Sequence, residues 1–341
     1  KRILVFVLSI CAFIGVKAQS EDFPLYFSQL GLEGTANYMS RAGAIGAVGG
    51  DIMSANYNPA GLGIYRVGEM TFSAGLNFAN TTTNTDGLGM QDDKTKLTFG
   101  NWGFVLPVKV DNSSLKYVQF SYAINRLKTF SNNIAMSREG ITASYIDQVV
   151  MNDIIEYNDV ENEFIRSGVV ELDTNSMTIS SLFEVGKFNQ FRRVKYSGSL
   201  NEATFSFSGN ISDKLYFGMT AGLPIATMTT ISTFTESKMN ANDEVIATYT
   251  NTQQQDFLNV GVNLKLGAIF KPISPLRIGV ALHTPTYYSV EDDFSSIVAY
   301  DKTAGSVGPT FFYGIQTPFR FLANAAFVWG DISSSIVGTI S

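Results

Sequence analysis

The sequence predicts an all-β fold, an antiparallel transmembrane β-barrel, and three observations carry that expectation. Over residues 257–270, Leu258, Val260, Val262, Leu264, Leu266, Ala268 and Phe270 alternate with Asn259, Gly261, Asn263, Lys265 and Gly267. Such a strand has one apolar and one polar face, and it exceeds the roughly 5 or 6 residues of a globular strand, enough to cross a bilayer when tilted. The pattern recurs at 70–78, 96–108, 118–124, 203–211, 215–223, 276–282 and 319–329, so eight candidate strands are visible. The connections then alternate without exception: short at 109–114, 212–213 and 272–275, long at 80–95, 128–200, 225–255 and 285–318. Outer-membrane barrels pair short periplasmic turns with long extracellular loops. The turns near Asn112, Ser212 and Ser274 are therefore expected in the periplasm, and the loops near Asp153 and Asn240 outside.

Residues 1–18 read as a signal peptide. Lys1 and Arg2 precede an apolar stretch, and Val16-Lys17-Ala18 offers acceptable residues to a signal peptidase. The stretch is too short to span a bilayer as a helix, and no later segment approaches 18 uninterrupted apolar residues. Cys11, the single cysteine, is expected to leave with the leader, because Ile10 is bulky where a lipoprotein processing site needs a small residue. The mature chain then has no thiol or disulfide chemistry. The expected location is the bacterial outer membrane, reached through the periplasm, with its lipid bilayer as partner. Loss of Lys1, Arg2 and Lys17 leaves 21 basic residues against 30 acidic ones, a net charge of about −9, which argues against nucleic acid as a partner. Much of the surplus lies at 147–171, where Asp147, Asp153, Glu156, Asp159, Glu161, Glu163 and Glu171 face only Arg166. There the spacing of Ile146, Val149, Val150, Ile154 and Tyr157 predicts a helix over 141–157, either a solvated loop helix or a capture surface at a barrel mouth.

Residues 19–68 do not alternate. Ala42-Gly43-Ala44-Ile45-Gly46-Ala47-Val48-Gly49-Gly50 lets backbone approach backbone, and Asn58-Pro59-Ala60-Gly61 is turn chemistry. A compact plug inside a barrel needs both properties, so 19–68 is assigned as an N-terminal hatch and 69–341 as the barrel.

In Ala42-Gly43-Ala44 with Ala47 and Asp51, and in Tyr57-Asn58-Pro59-Ala60-Gly61 shortly before the first strand, the chain resembles the FadL-like family of outer-membrane transporters. The likeness continues in the strand pair at 264–272 and 276–285, with its turn at Pro272, its end at His283-Thr284-Pro285, and the opening Thr317-Pro318-Phe319-Arg320 of the eighth strand. It covers the region after the leader apart from the long loops. The resemblance implies a 14-stranded barrel with a hatch, capture of a long-chain fatty acid or other hydrophobic molecule outside, and lateral escape through the wall. The chain departs from that pattern by showing eight strands and a fragment at 334–340. Eight strands enclose room for side chains only, so a sequence incomplete at its C-terminus is expected.

For catalysis the residues are nearly silent. His283 is the only histidine; no Ser-His-Asp spacing, metal-ligand cluster or phosphate loop is present, and no enzyme, cofactor or metal is expected. Asn259, Asn263, Lys265, Arg277, Arg320 and Asn324 fall on the inward parity. Lys265 and Arg277 are the candidates to hold an acidic head group, because a carboxylate favours a charge-assisted hydrogen bond. In the second strand the alternation slips one place at Gly100-Asn101, the mark of a β-bulge and a candidate neighbour of a wall opening. The leading expectation is passive uptake of hydrophobic molecules. The alternative is a barrel of the same build that acts as an interaction or secretion-associated protein.

Overall fold

A computed structural model of the chain describes residues 27–86, 88–110, 114–150, 162–173, 176, 178–329 and 332–340. Its strands are β1 (Glu69–Thr85), β2 (Leu88–Lys109), β3 (Leu115–Thr129), β4 (Asn132–Ile141), β5 (Val170–Asp173), β6 (Thr178–Ser181), β7 (Lys187–Ile211) and β8 (Leu215–Met239). They continue as β9 (Val245–Ile273), β10 (Leu276–His283), β11 (Tyr287–Ala299), β12 (Thr303–Val307), β13 (Phe311–Gln316), β14 (Arg320–Trp329) and β15 (Ile332–Ile340). All but β5 and β6 join one antiparallel sheet in the order β1-β2-β3-β7-β8-β9-β10-β14-β15. The sheet curls into a half-barrel.

Strands broken by sequence still act as single staves. β3 and β4 both pair with β7, and β10 and β11 both pair with β9. The second break is at Pro285 and the matching break between β13 and β14 is at Pro318, where proline has no N–H for the ladder. Thr286 and Thr317 bridge the gap instead, Thr317 N donating to Thr286 O at 3.0 Å and Thr286 N to Thr317 Oγ1 at 2.9 Å.

The long connections differ from the expectation. Most of 80–95, 225–255 and 285–318 is strand, and in 128–200 residues 128–129, 132–141 and 187–200 likewise prolong the staves. These stretches escape an apolar alternation test because Thr, Ser, Asn and Gln occupy both faces, while the hydrogen bonds of a ladder are indifferent to side-chain polarity. Phe311, Phe312 and Tyr313 likewise lie on a strand, β13, with Phe311 and Phe312 exposed. Of the helix expected over 141–157, Ile141 ends β4 and a single wide turn of π-helix forms at Ile146–Val150. Asp153, Ile154, Tyr157 and most of the acidic run lie outside the described residues, as do the leader and Asn112.

Within the long connection, the described residues of 144–183 fold back on the strand extensions. Ile146, Phe164, Phe183, Phe188, Phe234 and Tyr249 form a buried cluster there. Glu236 anchors it from β8, its carboxylate accepting from Ser144 Oγ (2.9 Å), Tyr145 N (3.1 Å), Gln190 Nε2 (2.6 Å) and Tyr249 Oη (3.1 Å).

At the opposite end the turns are tight. Ser212 and Asp213 both take positive φ, 53° and 57°, as a two-residue turn matched to strand twist requires. Asp213 accepts from Arg66 (2.7 Å), Lys116 (2.8 Å) and Asn210 (2.8 Å). The hydrogen bond from Lys116, then that from Asn210, holds its carboxyl below the usual carboxylate range.

Residues 27–68 lie against the concave face. Helix α1 (Ala36–Ser40) is capped by Thr35, whose Oγ1 accepts from Tyr38 N at 3.1 Å. Asp51 ties cap to chain by accepting from Thr35 Oγ1 (2.7 Å), Asn37 Nδ2 (2.8 Å) and Met53 N (2.8 Å). Helix α2 (Ser54–Tyr57) and a 3₁₀ turn (Pro59–Ile64) follow, with Asn58 Oδ1 accepting from Ala60 N at 3.2 Å.

Gly198 in β7 marks the break between β3 and β4, accepting from Phe130 N at 3.1 Å with φ at +137°. A Cβ there would collide with Thr227 O of β8. Gly198→Val is expected to destabilise the fold by at least about 2 kcal/mol, read as a lower urea midpoint of refolded protein, whereas Gly89→Val, at an open position, should leave the midpoint in place.

Candidate functional site

The two faces of the sheet have opposite chemistry. Outward, Leu258, Val260, Val262, Leu264 and Leu266 are 41 to 54% exposed, and Met219 and Leu223 of β8 and Ile278, Val280 and Leu282 of β10 are exposed beside them. Inward, Glu202, Thr204, Ser206, Ser208, Thr220, Asn259 and Lys265 are buried. A dry polar wall costs free energy unless each group finds a partner, and segment 27–68 supplies many of those partners.

At the centre Lys265 of β9 donates to Glu202 Oε1 of β7 at 2.6 Å and to Asn263 Oδ1 at 2.7 Å. The Lys265 and Glu202 side chains are only 6% and 2% exposed. Asn263 Nδ2 donates to the same Glu202 oxygen at 2.7 Å, and the other oxygen accepts from Asn56 Nδ2 of α2. Asn56 Oδ1 in turn accepts from Asn125, whose own amide oxygen accepts from Asn101 at 3.0 Å. One chain of hydrogen bonds thus runs from β2 through β3 and the N-terminal segment to β7 and β9.

The Tyr57-to-Gly61 motif lies on a bare patch of this wall. Gly218 and Gly267 are paired across β8 and β9. A Cβ on the first would collide with Pro59, and on the second with Asn58 Oδ1. Absence of side chains at both positions lets the Asn58-Pro59-Ala60 backbone touch the sheet. Asn58 Nδ2 donates to Gly46 O at 2.6 Å, His283 Nε2 lies 2.8 Å from Tyr57 O, and Arg277 donates to Val48 O at 2.5 Å. Arg320 donates to Ser28 O.

These contacts place Lys265 and Arg277 between wall and segment. The cavity against Lys265, Glu202 and His283 holds about 40 Å³, too little for a long alkyl chain. Asn324 reaches the surface of a larger void of about 430 Å³ beside Tyr38, Tyr57 and Arg320. Sequence reasoning missed Glu202 and Asn56. Glu202 stood one residue before the expected strand at 203–211, although its even number shares the inward parity of Thr204 and Ser206.

Above the polar layer is an apolar one. Phe27 and Met53 of the segment pack with Leu127, Phe130, Met228 and Phe257 of the wall. Phe27 meets Phe130 edge-on, ring centres 5.6 Å apart. Asn259, fully buried on the inner face, has neither side-chain atom hydrogen-bonded.

The wall has a seam. β1 and β2 shift register between Ser73 and Ala74, where Asn101 faces Ser73, Phe99 faces Ala74 and Gly100 is the extra residue. β2 and β3 pair only as far as Asn101 and Asn125, and beyond that point they separate. Residues 31–34 fill the inside of the gap. Gly31 N donates to Leu127 O at 2.8 Å, and Glu33 accepts from Thr129 N (2.7 Å) and Thr129 Oγ1 (2.6 Å). Farther out the β1–β2 hairpin clasps β4 and β7, with Asp92 accepting from Arg193 at 2.7 and 3.0 Å.

Comparison with protein-family models, with curated proteins and with solved structures returns no match. The likeness to the fatty-acid transporters therefore rests on the residues quoted above.

Breaking the central pair strands a buried charge, which costs roughly 3–5 kcal/mol. Lys265→Met and Glu202→Gln should each lower the urea midpoint and open residues 27–68 to protease. The double variant should recover part of the loss, since no lone charge remains.

Proposed function

We propose that the chain forms the wall and hatch of an outer-membrane channel for passive uptake of long-chain fatty acids or other hydrophobic molecules. The observation that carries this reading is the apolar layer of Phe27, Phe130, Met228 and Phe257 on the inner face of a wall whose polar groups are closed off by segment 27–68. An alkyl chain replacing Phe27 there gains roughly 0.8 kcal/mol for each methylene buried. The exposed apolar outer face suits lipid. On this reading residues 27–68 are the hatch, and cargo leaves sideways through the seam beside Gly100 once residues 31–34 withdraw. Lys265 and Arg277 hold the hatch in the closed state and meet a head group only after it moves. A second reading is favoured by the folded layer over the strand extensions, which suits a barrel that docks surface or secretion partners.

Orientation is tested with cysteines. Asn242→Cys, in the β8–β9 turn, should react with an impermeant thiol reagent in intact cells, and Ser274→Cys, in the β9–β10 turn, should react only after lysis. Equal labelling would remove the membrane topology.

Replacing Asn58 to Gly61 by four alanines should loosen the hatch and spare the wall. The expected results are higher ion conductance in planar bilayers with heat-modifiable migration retained. Deleting the gene should abolish uptake of labelled palmitate and leave uptake of a short sugar intact; loss of surface-protein secretion with normal palmitate uptake would favour the docking reading instead.

A further inference from the structure

Positive charge gathers at one place on the wall, the outer end of the seam between β2 and β3. On the outward face of β2 the apolar residues run from Val108 through Leu106, Phe104, Trp102 and Phe99 to Leu97. They cover about 35 Å of strand, or about 25 Å of height at the tilt of a barrel strand, which is the height of the apolar band on an outer-membrane barrel. Lys96 and Lys94 stand just beyond Leu97, on the face of the strand that reaches across to β7 where β2 and β3 have parted.

Lys94 Nζ donates to Tyr196 O of β7 at 2.6 Å, and the charges of Lys96 and of Lys195, an exposed residue of β7, bear on it. Ammonium groups that share one region repel one another, and the carboxylates around them are engaged elsewhere. Asp92 is held by Arg193 at 2.7 and 3.0 Å and by Asn133 at 3.2 Å. Asp93, on the opposite face of the hairpin, accepts from Asn80 and Gln91. Nearer the bulge Arg126 of β3 adds a further cation, and the carboxylate that bears on it, Glu33, accepts from Thr129. The charge is local to the seam. On β9 the next outward residue beyond Leu258 is Asp256, which lies opposite Asp293 of β11, so that part of the same boundary is acidic.

We infer that Lys94, Lys96 and Lys195 hold the phosphate of a membrane lipid from the leaflet that faces outside, with Arg126 beside them. The inference rests on the outer-membrane reading above and adds a lipid that is bound to the wall, not carried through it. Height selects a lipid over phosphate from solution: a lipid whose acyl chains lie in the apolar band carries its phosphate to the level just beyond Leu97, where the lysines are. The wall supplies a surface for those chains, since Leu76 and Phe78 of β1 and Leu97 of β2 are 60 to 73% exposed directly below the cluster. A phosphate with charge-assisted bonds to ammonium groups on both β2 and β7 relieves their repulsion and ties the two sides of the seam together.

The test places the whole chain in phosphatidylcholine vesicles that carry a trace of radiolabelled phosphatidic acid or of the matching diacylglycerol, which lacks the phosphate. The protein is then extracted in detergent and the label retained per chain is counted. Wild-type protein should retain phosphatidic acid and not diacylglycerol. Lys195→Gln should cut retention about fivefold, and the triple variant Lys94→Gln, Lys96→Gln, Lys195→Gln should bring it to the diacylglycerol level. Lys214→Gln, at the opposite end of the wall, should change nothing. Excess inorganic phosphate and excess palmitate should both fail to displace the lipid. Should the triple variant lose heat-modifiable migration, Lys195→Gln carries the comparison alone. Retention unchanged in the lysine variants, equal retention of diacylglycerol, or displacement by phosphate or palmitate would overturn the site and leave the membrane reading standing. A wild-type chain that does not enter the vesicles would overturn both.

Discussion

The structure depends on one constraint: a sheet whose concave face is polar has to be covered by something that answers its hydrogen bonds. Here the cover is the chain's own beginning. Glu202 and Lys265 neutralise each other between β7 and β9, but Glu202 keeps a second oxygen for Asn56, so the pair is completed only when α2 is in place. A buried ion pair of this kind adds little net stability over an apolar substitute. Its value lies in selectivity, because Asn56 joins Glu202 to Asn125 only when the segment is seated in this way. The glycine pair at Gly218 and Gly267 works to the same end by shape, admitting the Asn58-Pro59-Ala60 backbone at a distance no side chain allows.

Much of the wall was legible because strand parity survives in the residue types. Leu258 through Phe270 expose alternate side chains as their alternation requires, and the slip at Gly100-Asn101 coincides with the register shift opposite Ser73 and Ala74. Legibility ended where polarity stopped reporting on burial. In the extensions of β8 and β9, residues such as Thr235 paired with Thr250, and Ser237 with Thr248, sit on ladders that no apolar pattern announces. Phe311 and Phe312, within the connection expected at 285–318, are the converse, adjacent apolar residues that are both exposed on a strand.

The site was harder to read than the wall, for a reason of separation. Asn56 and Glu202 are 146 positions apart, and nothing local in either marks the other. Lys265 and Arg277 stood out because a cation on inward parity is conspicuous, yet their partners are Glu202 and the Val48 carbonyl, and a backbone carbonyl leaves no trace in side-chain chemistry. The turn motif at Asn58 was visible as turn chemistry; its seat on paired glycines became visible only once β8 and β9 lay side by side.

The long reach of these contacts bears on how the protein assembles. The segment that fills the concave face is made before the strands that hold it, and its anchorages come late: Asn58 meets Ala268 across 210 positions, Arg277 meets Val48 across 229, and Arg320 meets Ser28 across 292. Closing loops of that length carries an entropic cost before any contact repays it, which slows folding. Until β7 to β10 have zipped together, that segment has nowhere to dock. A factor that held residues 27–68 until those strands had paired would therefore do more good than one that protected the strands themselves.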